Sequence, residues 1–279
     1  MQMEDSSPKP IILCADDYGL DEGISRAILQ LAEGGRISAV SAMVGGRDWR
    51  RAAPLLKPLL GKVAVGLHFT LTELPPLGAM PRLAPKGQSP DLNKLLRLAL
   101  LRRIDHYEVA AELHRQAKAF IEATGQLPDH IDGHQHIHVL PGVREPVLAL
   151  ATAYGCAVRR RAPAFPAFKN RHAARRKAVV INLLAGDFDS RLQRHLITCN
   201  AQYFGLHAFN PTQPIGPRYR TWLKAARPYC LINCHPSRGQ MLDDKLSGWR
   251  QYEYDFLASP TWPAMLREEN CTLMAWPLA

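Results

Sequence analysis

No run of apolar residues in this chain approaches the roughly 20 needed to span a bilayer. The first residues, Met1-Gln2-Met3-Glu4-Asp5-Ser6-Ser7-Pro8, lack the basic n-region and apolar h-region of a secretory signal. The expected location is therefore the cytoplasm. Six cysteines (Cys14, Cys156, Cys199, Cys230, Cys234, Cys271) include no CxxC pair, and in a long chain without a signal they read as buried thiols rather than bridges. There is no internal repeat and no long linker. Nothing resembles a helix-turn-helix, zinc finger, RRM or KH signature, so nucleic acid is not an expected partner. Acids are in short supply: 25 Asp+Glu stand against 35 Lys+Arg, a formal net charge of +10. That excess favours anionic partners without choosing among them.

What remains is a chain of 279 residues, 47% hydrophobic, long enough for a full core. Short apolar, β-branched runs alternate with helix-period segments, the pattern of βαβ units around a parallel sheet. Strands are expected at Pro10–Ala15, Ile37–Val44, Val63–Leu71, from Asp129, and near Ala157–Arg160, Ala201–His207, Cys230–Cys234 and Thr272–Trp276. Helices are expected from Asp21 to Glu33, Asp48 to Leu60, Leu92 to Arg103, Tyr107 to Thr124, and from Pro141-Gly142 to near Tyr154. Seven or eight such steps suggest an α/β fold of the (β/α)-barrel type, regular or distorted and TIM-like, with a doubly wound open sheet as the rival. Residues 1–9 read as a disordered tail and 10–279 as a single catalytic domain. A Pro- and Gly-rich stretch from Glu73 to Pro90 is long enough to read as a functional lid.

Candidate chemistry gathers at the ends of expected strands. Asp16 and Asp17 follow the first strand; adjacent buried carboxylates persist only with a compensating cation or a shared proton. Asp21 is the expected helix cap, so neither of the pair is needed for that role. His68 alone, in an apolar strand, reads as a satisfied core residue rather than a ligand. In an extended chain His130, Asp132, His134, His136 and His138 would line one side, with a curl midway keeping all five from reaching one ion. His235 ends a further strand before Pro236. Carboxylates and imidazoles converging from several strands suit Zn²⁺, Fe²⁺, Co²⁺ or, with more water, Mg²⁺. Such a set looks like a metal hydrolase. An Fe(II) oxygenase using the HxD spacing of His130-Ile131-Asp132, or a non-enzymatic protein binding an anionic sugar or lipid, are the alternatives.

The motifs ADDYG, GLHFTLT, HIDGHQHIH and NCHP, in that order, resemble the YdjC-like carbohydrate deacetylase family, which includes chitooligosaccharide and hopanoid-associated deacetylases. The resemblance runs from about Pro10 to the C-terminus. It implies a distorted barrel and a divalent metal (Mg²⁺, Zn²⁺ or Co²⁺) on Asp17, His68 and His134. It also implies Asp16 as general base, His235 as acid, and His136 and His138 behind the ligands or touching substrate; Asp132 is left outside the ligand set. The implied reaction is hydrolysis of the N-acetyl group of an amino sugar in an oligosaccharide or glycolipid, releasing acetate.

Eight Lys/Arg and no acid lie between Arg159 and Lys177, with Phe165 and Phe168 among them. Read as a solvated insertion, this is a bland loop; read with the basic, Leu-rich segment Leu92–Arg103, it is a surface for peripheral contact with an anionic membrane. That segment equally suits core packing or contact in a homo-oligomer.

Overall fold

The computed structural model describes residues 7–160, 172–206, 209, 212–239 and 246–276. Its elements follow in the order β1 (Lys9–Tyr18), α1 (Glu22–Glu33), β2 (Ala39–Ala42), α2 (Trp49–Ala52), β3 (Ala64–Phe69), α3 (Leu92–Leu100), α4 (His106–Thr124) and β4 (His130–Gly133). Then come α5 (Arg144–Tyr154), β5 (Ala157–Val158), α6 (His172–Ala185), α7 (Phe188–Arg194), β6 (Gln202–Phe204), α8 (Ile215–Ala225), β7 (Cys230–Cys234), α9 (Ser247–Ala258), α10 (Thr261–Glu268) and β8 (Cys271–Leu273).

All strand pairings are parallel, in the spatial order β5-β4-β3-β2-β1-β7-β6, with β8 also paired to β1. β1 thus has three neighbours and is buried from Ile11 to Tyr18. At the two ends of this order the Val158 N–H donates to Thr198 O (2.9 Å), which draws β5 toward the chain leading into β6. The result is a curled, barrel-like parallel sheet clad in helices, and its strand ends open toward one mouth.

Most elements stand where the pattern places them. Asp21 caps α1, its Oδ1 accepting from the Gly23 N–H (2.9 Å). Asp105 caps α4 by accepting from Tyr107 and Glu108, and Gly125 closes it at φ 80°. Three expectations change. The helix expected from Asp48 to Leu60 is a single turn, α2, followed by a 3₁₀ stretch over Ala53–Leu59, because Pro54 and Pro58 remove backbone donors there. β1 begins at Lys9, inside the stretch read as tail, with Lys9 in register with Cys271. Arg159, counted among surface cations, is 0% exposed. Residues 161–171 of that basic stretch lie outside the described residues.

The Leu-rich helix α3 buries Leu95, Leu96 and Ala99 in the core and leaves Leu100 and the following Leu101 exposed. Among the described residues no helix is long and apolar enough to cross a membrane. All six cysteines are free, and five are buried.

Candidate metal centre

At the mouth of the sheet the extended chain of β1 breaks its alternation. Asp17 has φ 72°, a left-handed conformation unfavourable for a residue with a Cβ, and the pairing of β1 with β2 shifts register between Ala15 and Tyr18. This bulge turns both Asp16 and Asp17 toward the opening, where a regular strand would send them to opposite faces. Gly46 permits it: a Cβ there would fall 2.1 Å from Gly19 O, so only glycine lets the loop after β2 pass against the end of β1.

Each aspartate already has a cation. Arg159 holds Asp16 through both oxygens, Nη1 to Oδ2 at 2.8 Å and Nη2 to Oδ1 at 2.6 Å. Arg250 of α9 holds Asp17 Oδ2 at 2.7 Å. Burial works against both ionised carboxylates, but the guanidinium partners win and keep both below the usual carboxylate range. The adjacent acids alone therefore do not demand a metal. The stronger sign is Asp17 Oδ1, which is buried and has no well-aligned hydrogen bond. It faces His68 Nε2 at 3.5 Å and His134 Nδ1 at 3.3 Å, and the ligand atoms of these three residues all lie within 4.8 Å of one another.

Both imidazoles are oriented from behind. His68 Nδ1 donates to Asp132 Oδ1 at 2.6 Å, because parallel register sets His68 on β3 beside Asp132 on β4. His134 Nε2 donates to Glu73 Oε2 at 2.9 Å. Each bond orients its ring and turns the other ring nitrogen toward Asp17 Oδ1, where an ion could take its lone pair. Without an ion, burial works against protonation of His134, but the Asp17 and Glu73 carboxylates outweigh it and raise it to about 9. One carboxylate oxygen and two imidazole nitrogens form a donor set that fits a divalent cation and leaves positions open.

His235 ends β7 with Nε2 3.8 Å from Asp16 Oδ2. Burial lowers it to about 4, although Asp16 and Asp17 pull the other way, so the ring rests neutral. Its backbone N–H donates to Glu253 Oε2 at 2.6 Å, and Glu253 Oε1 accepts from Tyr219 Oη. Asn233 Nδ2 donates to Asp16 Oδ2 at 3.1 Å.

The His-rich segment does not stay extended. It leaves the strand after Gly133, and Gln135 and His136 take φ of 55° and 62°. His134 is thereby aimed at Asp17, while His136 packs edge-on against Tyr203. His138 is fully buried and donates through Nε2 to Arg159 O at 2.9 Å, a position with no face for substrate. His130 lies deeper, stacked on Trp276. Gly66 makes room for it, since a Cβ there would fall 2.4 Å from the ring.

Among the described residues two other acid-imidazole groups exist, Cys14-His130-Asp132 and Asp16-His68-Asp132. The Arg159 guanidinium sits among both, bonding Asp16, Asp132, Cys14 Sγ and Ser41 Oγ. With that place taken by a cation, the HxD pair His130/Asp132 has no room for iron. An oxygenase built on that HxD pair has no site here.

Arg159, Arg250, Glu73 and Glu253 take part here without having been singled out in the sequence as site residues. No local pattern marks them, because each acts across at least 18 residues of chain.

Residues 10–268 match the family described as YdjC-like protein. A chitooligosaccharide deacetylase of Serratia marcescens is 38% identical over 152 residues, 54% of this chain and 59% of that protein. Its counterpart in Enterobacter sp. (strain 638) is 36% identical over 152 residues, with the same coverage. The aligned part thus spans about three-fifths of the length of these curated relatives. In fold, the chain is similar to the crystal structure of a candidate cellobiose-phosphate cleavage protein from Enterococcus faecalis V583. The TM-score is 0.75 at 19% identity, over 97% of this chain and 98% of that one.

Proposed function

The chain belongs to the YdjC-like protein family, and we propose that it is a metal-dependent hydrolase that removes the N-acetyl group from an N-acetylated amino sugar. The observation that supports this reading is Asp17 Oδ1, buried without a well-aligned hydrogen bond and flanked by nitrogens of two imidazoles that carboxylates orient from behind. The names of the aligned relatives supply the substrate class.

Asp17, His68 and His134 would hold the ion. Two imidazoles with one carboxylate favour the borderline ions Zn²⁺ or Co²⁺ over Mg²⁺, which prefers oxygen ligands and water. A divalent ion held there supplies Lewis acidity to an amide carbonyl and acidifies a bound water. Asp16, ionised and fixed by Arg159, is the group placed to take the proton of the attacking water. His235, neutral at rest and 3.8 Å from the same carboxylate, would pass the proton that Asp16 takes from water on to the departing amine. His136 and His138 have no such place; His138 acts by holding the Arg159 carbonyl.

The test is acetate release from a panel of N-acetylated saccharides after chelation and metal re-addition. Asp17→Asn is expected to lose metal binding and turnover together. Asp16→Asn should keep the metal and lose rate by roughly 10²- to 10⁴-fold, the usual share of a general base. Turnover by a verified metal-free Asp17→Asn protein would sink the assignment.

A further inference from the structure

The basic, Leu-rich segment Leu92–Arg103 has no part in the metal centre. Helix α3 and its cap divide that segment into two faces. Leu95, Leu96 and Ala99 are buried in the core, whereas Lys94, Arg97 and Leu101, spaced i, i+3 and i+7, share the outer side. Leu100 is 67% exposed and Leu101 52%. The chain then turns through Arg102, at φ 53°, into α4, where Tyr107 is 75% exposed. Single exposed leucines are ordinary, but three large apolar side chains on one turn form a patch.

Cations surround it. Lys94, Arg97, Arg102 and Arg103 are all exposed, and among the described residues none of them has an ion-pair partner. No acid stands between Leu92 and Ile104. The flanking acids are engaged: Asp91 caps the far end of α3, and Asp105 caps α4 and pairs with Arg82 at 2.6 Å. Glu108 accepts from the backbone N–H groups of Arg82 and Leu83 at 2.8 and 2.9 Å.

The patch lies on the mouth side of the sheet. Helix α4 leads into β4, which starts at the end far from the mouth, so the first turn of α4 stands near the rim. The stretch from Glu73 to Pro90, which reads as a lid from its composition, is tied to that same helix end. Besides the two bonds to Glu108, Glu112 accepts from Leu77 N–H at 2.8 Å.

The charge decides what can cover this patch. A second copy meeting it about a two-fold axis would set four cations against the same four. A small soluble anion would use the cations and leave the leucines idle. An anionic bilayer uses both, with phosphates for the cations and the headgroup boundary for leucine and tyrosine. We propose that the turn joining α3 to α4 docks on an anionic membrane, Leu100, Leu101 and Tyr107 entering the headgroup boundary while Lys94, Arg97, Arg102 and Arg103 meet lipid phosphates. This docking does not depend on the deacetylase reading.

The experiment is co-sedimentation with vesicles of phosphatidylcholine alone or mixed with phosphatidylglycerol, at low and high salt. The wild type is compared with Leu100→Ser/Leu101→Ser and with Arg97→Glu/Arg102→Glu. Wild-type binding should require phosphatidylglycerol, weaken with salt, and fall roughly tenfold or more in each variant. In Leu101→Trp the added emission should be quenched by lipids brominated along their acyl chains. Light scattering follows oligomeric state in parallel. No binding to the anionic vesicles at low salt, unchanged binding in either double variant, or an unquenched Trp at 101 overturns the proposal. A wild-type dimer that the variants split would assign the patch to a second copy and overturn it as well.

Discussion

Arg159 sits under the centre with its guanidinium shared between Asp16 and Asp132, and all three groups are buried. Removing one partner of a buried ion pair leaves an uncompensated charge, which costs about 3–5 kcal/mol. Arg159→Met should lower unfolding free energy by roughly that amount in urea titration. A loss below about 1 kcal/mol would place the pair in the class of exposed salt bridges and contradict its burial. Glu73 is a milder case, because it orients a ligand from the half-exposed rim. Glu73→Ala should weaken metal affinity by roughly 10- to 100-fold, as removal of such outer partners commonly does. Glu73→Gln, which keeps an acceptor for His134 Nε2–H, should lose less; competition with a chelator measures both.

Among the elements, the end of β1 and the loop after β2 depend on one glycine. A methyl group at Gly46 would meet the backbone of Gly19 and Leu20, which cannot rotate away as a side chain can. Gly46→Ala is therefore expected to cost about 1–3 kcal/mol and to weaken metal binding by shifting Asp17; thermal melts with and without Zn²⁺ test both. The elements also show how far sequence reading reaches. Strands β1, β3 and β7 are legible from apolar runs and β4 from the start of the His-rich segment, whereas Asp16, Asp17, His68, His134 and His235 are joined into one site only by the family resemblance, since His68 alone reads as a core residue. The departures have local causes. Two prolines cut α2 short. Left-handed Gln135 and His136 fold the His-rich segment away from simple alternation. Helix α9, with Arg250 and Glu253, went unplaced because its contribution is tertiary: a guanidinium reaches Asp17 across 233 residues of chain, and a carboxylate reaches the end of β7 across 18. Asp132 was set aside, yet it holds His68 from behind.

For the whole molecule, buried titratable groups shape the response to pH. Burial lowers His130, His138 and His235 to about 4 from 6.5, so the unfolded chain binds more protons between those values. Their effect is that stability rises with pH across that window. Burial raises Glu253 from 4.5 to about 7, so its contribution runs the other way, falling as pH climbs between those values. Three histidines outnumber one glutamate, and the net slope is upward. In the metal-free protein His134 is raised from 6.5 to about 9, so its stabilisation is complete below 6.5 and lost as pH rises through 9. Metal-free protein should therefore melt at its highest temperature near pH 6.5–7, with a decline on either side. A metal ion displaces the proton from His134 Nδ1, so loading should remove the alkaline decline and release protons at about pH 7. Calorimetry in buffers of different ionisation enthalpy measures that release; none would contradict the assigned donor atom.

The reactive pair of acids grows from a strand flanked by three others, whereas the rim at residues 74–90 is fastened to a single helix. Substitution can act on these two parts separately. The spine keeps Asp16 and Asp17 in position, while side chains along the rim can be exchanged without disturbing that strand.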